Sequence, residues 1–403
     1  MTVRKNPTIL TPLRTMRGAA AVFGAALLTA ATAQAAGSGT GAASGEAPAV
    51  ATTVTQDAPA AEPAPGVSFF KKVELTGLVD AYYTYNFNEP ATGSFTPLRN
   101  FDVRHNQFSV AYLELAMNKA ATAEDRVGFR FDLGYGQLAQ IFNADPLDNN
   151  ALVNVQQAYV SYLAPAGKGL TIDFGKFVTP VGFELTESNL DFNYSRAFSY
   201  ALGPFYHVGA RIGYTPNDKV ALSAMLVNGW SGQAGDNNAG KTVGGSIILK
   251  PTSKVTIAEN VLFGPEQDGN TEDKRFGNNT NIAFNPTDKV SLGADLYYYR
   301  DTLLGDSVSW MSAVLYFRGQ VTPVFAVAPR FEYFDDGAGL VSGAVQKLKD
   351  FTLTGEFKSS QGVIFKVEYR RDWSDVDSFT KNGVAVNNQN TFTASMVYAF
   401  SSK

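Results

Sequence analysis

The chain has 403 residues, with 33 Lys and Arg against 37 Asp and Glu, two His and no Cys. That balance points to no nucleic-acid partner, and the missing thiols exclude a disulfide framework, a thiolate metal site and a cysteine nucleophile. His105 and His207 are too few for a His-rich zinc site, and no cofactor is expected.

At the N-terminus, Arg4, Lys5, Arg14 and Arg17 accompany an apolar run from Gly18 to Ala31. Ala33-Gln34-Ala35 then supplies the small residues that signal peptidase needs. Residues 1–35 therefore read as an export signal cleaved after Ala35, since the apolar run is short of the ~20 residues of a spanning helix. Losing four basic and no acidic residues takes the formal net charge from −4 to −8. Residues 36–68 are rich in Ala, Gly, Pro, Ser and Thr; 36–66 holds too little apolar surface to offset ordering entropy and reads as a disordered linker. The folded unit is expected over 69–403.

No later stretch is apolar enough for a transmembrane helix. A closed sheet can still cross a bilayer, because closure pairs every backbone group. Its signature is strands of about ten residues that alternate apolar and polar, split by turns. In the first such segment Val73, Leu75, Val79, Ala81, Tyr83 and Tyr85 share one face, with Glu74, Thr76, Asp80 and Thr84 on the other. Val127, Phe129, Phe131, Leu133 and Tyr135 likewise oppose Arg126, Arg130 and Asp132. Further on, Phe325, Val327, Phe331 and Tyr333 oppose Thr322, Arg330 and Glu332, and Val363, Phe365, Val367 and Tyr369 oppose Lys366, Glu368 and Arg370. A packed soluble core would desolvate those successive inward charges at high cost; a water-filled lumen would not.

Short turns recur as Pro-Asn-Asp-Lys (216–219), Pro-Thr-Ser-Lys (251–254) and Pro-Thr-Asp-Lys (286–289), each followed by Val. Pro presets φ and Asn, Asp or Ser closes the turn. Similar breaks fall near 119–125, 164–169, 319–323 and 358–362. Between them lie polar segments at 86–104, 136–150, 179–204, 229–240, 264–274, 301–307, 335–349 and 372–388. Short and long connections alternate, as expected when turns face the periplasm and loops face outside. The expected fold is thus an all-β, antiparallel up-and-down transmembrane barrel of sixteen strands; fourteen or eighteen also fits, because 105–118, 151–163 and 275–284 alternate less regularly. Aromatic clusters at Tyr82, Tyr83 and Tyr85 and at Tyr297, Tyr298 and Tyr299 sit where membrane interfaces would lie.

The longest loop, 179–204, carries Glu184, Glu187, Asp191 and Arg196, and the returning strand adds His207 and Arg211. Folded inward, it would place charges of both signs across the channel and form a constriction. Arg130, Asp132, Arg330, Glu332, Lys366, Glu368 and Arg370 are the expected lumen lining. Lys176 falls in phase with Leu170, Ile172 and Phe174 and is expected to snorkel at the rim, unless Gly175 introduces a bulge.

The run Phe174-Gly175-Lys176-Phe177-Val178-Thr179-Pro180-Val181-Gly182-Phe183-Glu184, then 193–196 and 204–211, resembles the OmpL-like β-barrel porins of Gram-negative bacteria. The resemblance extends loosely over about 69–400. It implies a diffusion channel in the outer membrane, bedded in lipid and lipopolysaccharide and passing ions or small hydrophilic solutes. Trimers are common among sixteen-strand porins, although no interface is legible in the strands. Barrels of this kind usually end on an aromatic, whereas Ser401, Ser402 and Lys403 follow Phe400 here.

Two other classes make different demands on the sequence. An outer-membrane hydrolase would need His105 or His207 beside a nucleophile such as Ser109 or Ser195, and neither serine sits in a nucleophile motif. A structural or adhesive barrel would have a plugged lumen, which abundant inward charge disfavours.

Overall fold

A computed structural model describes residues 69, 71–90, 94–144, 149–230, 235–303 and 305–402. The expected signal segment 1–35 and linker 36–68 lie outside them. The first eight strands are β1 (Glu74–Asn86), β2 (Gln107–Lys119), β3 (Val127–Tyr135), β4 (Val155–Ala164), β5 (Leu170–Val178), β6 (Tyr206–Asn217), β7 (Val220–Val227) and β8 (Thr242–Thr252). They continue as β9 (Val255–Gly264), β10 (Arg275–Thr287), β11 (Val290–Leu303), β12 (Asp306–Thr322), β13 (Phe325–Asp336), β14 (Gln346–Lys358) and β15 (Val363–Trp373). A small hairpin, β16 (Phe379–Lys381) and β17 (Val384–Val386), precedes the closing strand β18 (Asn388–Ser401).

Sixteen of these strands form one closed antiparallel barrel in which each pairs with its sequence neighbour, and β18 closes on β1. The seam runs from Asn86↔Thr391 to Thr76↔Ser401. Ser402 extends it, donating its N–H to Leu75 O (2.8 Å) and accepting the Leu75 N–H on Oγ (3.0 Å). The residues after Phe400 thus prolong the ladder. Closure leaves no edge to be satisfied by lipid, which is what permits a sheet at bilayer depth.

The alternation fixes the facing. Val79, Phe129, Phe331 and Phe365 point outward, while Asp80, Asp132, Arg330, Glu332, Lys366, Glu368 and Arg370 are buried inside. All seven expected short turns are present. In three of them the residue after Pro closes the turn: Asn217 Oδ1 accepts Lys219 N–H (2.9 Å), Thr252 Oγ1 accepts Lys254 N–H (3.2 Å) and Thr287 Oγ1 accepts Lys289 N–H (3.3 Å). This side-chain mimicry of a backbone turn explains why the motif tolerates Asn or Thr there.

One expectation about loops needs correcting. Segment 301–307 is no long loop: β11 and β12 pair as far as Leu303↔Asp306. Its polar residues mark strands that project beyond the bilayer, where a sheet needs no apolar face. Segment 372–388 is a long connection, as expected, and carries the β16–β17 hairpin, whose Phe379 is buried while Lys381 stays exposed.

Candidate pore constriction

The connection between β5 and β6 enters the lumen. Its base is pinned by Thr179 N–H donating to Phe205 O (3.0 Å) and by His207, whose ring nitrogens lie 3.0 Å from Thr179 Oγ1 and from Gly229 O. Beyond Pro180 the chain turns at Gly182, whose φ of +106° is left-handed backbone that glycine adopts without strain. Wall residues then take the loop's free N–H groups. Gly182 N–H donates to Asn279 Oδ1 on β10 (3.1 Å) and Phe183 N–H to Asp295 Oδ2 on β11 (2.9 Å), and the Phe183 ring stacks on Tyr316 of β12 (4.7 Å).

The middle of the loop reaches β13–β15, six to eight strand positions round the barrel from its origin. Glu368 accepts the N–H groups of Tyr194 (2.7 Å) and Ser195 (3.0 Å). Glu332 accepts those of Phe198 (2.5 Å) and Ser199 (2.8 Å), the first residues of a short helix α2 (Phe198–Leu202). Cationic wall residues take the carbonyls: Arg330 Nη1 donates to Ser195 O (2.6 Å), Lys366 Nζ to Ser188 O (2.6 Å) and Asp191 O (2.5 Å), and Arg370 Nη1 to Arg196 O (2.5 Å). Asp80 of β1 accepts from Ser188 Oγ and from Tyr194 Oη (3.0 Å). Irregular backbone cannot lie unsatisfied away from water, and here the inward charges of the wall satisfy it.

Of the six expected constriction residues, three brace the loop. Arg196 lies 2.7 Å from Asp191 Oδ2, donates to the carbonyls of Leu185 (2.8 Å) and Thr186 (3.0 Å), and stacks over Phe101 (4.1 Å). Glu184 pairs with Arg330 (2.8 Å) and accepts Ala197 N–H (2.8 Å). Burial pushes the Glu184 carboxyl up to about 7 despite Arg330, and burial likewise pushes Asp191 up to about 6 despite Arg196. Glu187 is only half-buried. Arg211 stands on the β6 wall, 2.8 Å from Asp173 and 4.6 Å from the Phe177 ring centroid. His207 serves the base of the loop.

The expected lining divides into two groups. Arg330, Glu332, Lys366, Glu368 and Arg370 are engaged by the loop and fully buried, whereas Arg130, paired with Asp132 (2.6 Å), keeps a fifth of its side chain exposed. Lys176 does not snorkel. Gly175 has φ +138°, and Lys176 is buried with Nζ 2.8 Å from Asn143 Oδ1 and 4.4 Å from the Tyr206 ring. Asn143 ends a helix α1 (Gln137–Asn143) in the second loop, which buries Leu138, Ala139 and Phe142. Asp80, Asn279 and Asp295 escaped the sequence reading as partners of the loop; an inward carboxylate or amide in alternating strands was their only signal. Arg99 of the first loop was missed too; it bonds Asp102 and Asp372 (3.0 Å).

The hydrolase pairing finds no support in this geometry. Both His207 nitrogens are taken as described, and the Ser195 hydroxyl lies instead against the guanidinium groups of Arg330 (3.3 Å) and Arg370 (3.4 Å). His105 Nδ1 accepts the Asn86 N–H (3.0 Å).

Comparison with solved structures finds outer-membrane proteins. DcaP of Acinetobacter baumannii superposes with a TM-score of 0.56 at 13% identity, covering 81% of this chain and 97% of its own. An anion-selective porin from Comamonas acidovorans gives 0.54 at 12%, covering 81% and 99%. OmpT of Vibrio cholerae, in its trimer form, gives 0.52 at 11%, again covering 81% and 99%. At such identities the likeness is one of fold. No curated protein sequence matches the chain. The family model described as "Putative beta-barrel porin-2, OmpL-like" matches residues 72–400, nearly the whole barrel, so the chain belongs to that family of outer-membrane porins.

Proposed function

We propose that the protein is a passive, non-enzymatic diffusion channel for ions and small hydrophilic solutes, narrowed by the inward loop 179–205. The observation that carries this reading is the wall-to-wall bonding of that loop, from Asn279 and Asp295 to Glu332 and Glu368. Glu184, Glu187, Asp191, Arg196, His207 and Arg211 then define the constriction. The passage runs beside the loop on the β3–β6 side, where Arg130 and Arg211 keep 20% and 17% of their side chains exposed while Arg330 and Lys366 keep none. Field lines concentrate in a narrow wet gap between low-dielectric walls, so these partly exposed cations set its charge preference.

Residues 1–35 act as the export signal, 36–68 as a periplasmic linker, and the mature chain assembles as a homotrimer bedded in lipid and lipopolysaccharide. The trimer form of the OmpT relative supports that assembly. Recordings from purified protein in planar bilayers test the channel: discrete conductance steps are expected, and a protein that folds but never conducts refutes it. Intact mass of the outer-membrane form is expected to begin at Ala36.

A further inference from the structure

The lipid-facing side of the barrel is apolar at mid-depth in strand after strand, but β9 and β10 depart from this. Asn260 and Asn279 face the lumen, bonded to each other (3.1 Å), with Asn279 donating on to Asp295 (2.7 Å). Glu259 and Thr280, each one residue away, therefore face outward. Glu259 is the middle outward position between Val255 and Phe263, and Thr280 the middle one between Phe276 and Phe284. The two are cross-strand partners. Thr280 Oγ1 donates to one carboxylate oxygen (2.6 Å) and Asn278 Nδ2 to the other. Around them Val261, Phe263, Phe276, Leu296 and Tyr298 are exposed, as lipid-facing residues should be.

A charge on the lipid face destabilises a barrel most at the bilayer midplane. Headgroups lie too far away to solvate it there, and acyl chains offer no donors. The cluster needs a polar surface at the same depth. Asn278 can supply that from another copy: among the described residues its second N–H and its Oδ1 are unused, and an amide both donates and accepts around a rotation axis. The flanking outward residues are small, with Gly245 opposite Val261, Ala294 opposite Ile282 and Ala313 opposite Leu296. A Cβ at Gly245 would meet nothing nearer than 3.6 Å, so the chain's own packing does not require a glycine there. Its bareness suits the close approach of something outside the chain.

We propose that the outer face of β8–β12, centred on Glu259, Asn278 and Thr280, is where a second copy of this chain packs within the membrane. This rests on the oligomeric reading above and adds the surface. Because the chain has no cysteine, single-thiol variants report proximity directly. Val261→Cys and Leu296→Cys flank the cluster without altering it, and Leu115→Cys on β2 and Phe365→Cys on β15 serve as outward-facing controls. In native outer membranes a short bis-maleimide should join copies at 261 and 296 several-fold more than at 115 and 365. Adding Glu259→Leu should lower that yield several-fold with the circular dichroism of the strands unchanged. Linking at the controls alone would keep the oligomer and refute this surface. Linking nowhere, with a monomeric mass in mild detergent, would refute the oligomer and the surface together. Adducts to a protein of different mass would assign the face to another occupant and overturn the proposal, and undiminished linking with Glu259→Leu would remove the cluster from it.

Discussion

Three backbone carbonyls, from Ser188, Asp191 and Asn193, converge on the ammonium of Lys366, with Glu356 3.6 Å away. Strand alternation identifies this position as inward but not whether water or protein meets it there, and it is the loop, far away in sequence, that excludes the water. The geometry predicts that Lys366→Gln leaves the barrel closed and frees the loop, since breaking a buried ionic contact costs roughly 3–5 kcal/mol. Limited proteolysis should then cut within 186–195 while the strand signal in circular dichroism is retained; unaltered resistance would deny Lys366 its anchoring role. Outward positions behave differently. Phe129→Arg or Phe365→Arg places a cation on the lipid face, where the cost depends on depth, so both should lower the yield of folded protein in vesicles, whereas Arg130→Gln, on a partly wet wall, should not.

At the scale of elements, the strands, the turns and the places of most long loops were legible, and what holds the loops was not. Alternation and the Pro-x-x-Lys turns are local patterns, each set by side chains within a few residues of one another. Loop 179–205 is held by partners on β1 and β10–β15, which no local pattern reveals, and the brevity of 301–307 was masked because polar residues suit a projecting strand as well as a loop. The loop carries its own titration. Burial raises Glu184 to about 7 and Asp191 to about 6, so the packed loop binds protons more tightly than a released one. Its packing is therefore fully favoured below the free-carboxyl range of about pH 4 and weakens as pH rises through 6 and 7. Amide exchange over 184–197, corrected for its intrinsic pH dependence, should lose protection as pH is raised across that window. Glu184→Gln should flatten the trend, and protection that grows with pH would contradict it. Protonation also removes negative charge beside Arg330 and Arg196, so current through the channel should become more anion-selective on acidification.

At the scale of the whole molecule, the proposed passage rests on a contrast: the loop buries Arg330, Lys366 and Arg370 on β13 and β15, whereas Arg130 on β3 and Arg211 on β6 keep contact with water. That contrast separates two roles which the sequence alone had joined in Arg196 and Arg211. Arg196 keeps 1% of its side chain exposed and is committed to Asp191 and two loop carbonyls, while Arg211 keeps 17% and stands on the wall facing the loop. Arg211→Glu should therefore act through the field: the reversal potential shifts toward cations, more at low salt than at high salt because screening shortens the reach of a charge. Conductance should change little. Arg196→Glu should act through the structure, setting a carboxylate against Asp191 and the carbonyls of Leu185 and Thr186, so that the loop is released and single-channel conductance rises toward that of a 186–200 deletion. Lys381→Glu, on the exposed part of the β16–β17 hairpin, should leave both quantities near wild type. Bilayer recordings of the four variants at two salt concentrations decide it. Equal responses from Arg211→Glu and Lys381→Glu would mean that ions do not pass beside β6, and unchanged conductance in the deletion would mean that the loop is not the narrow point.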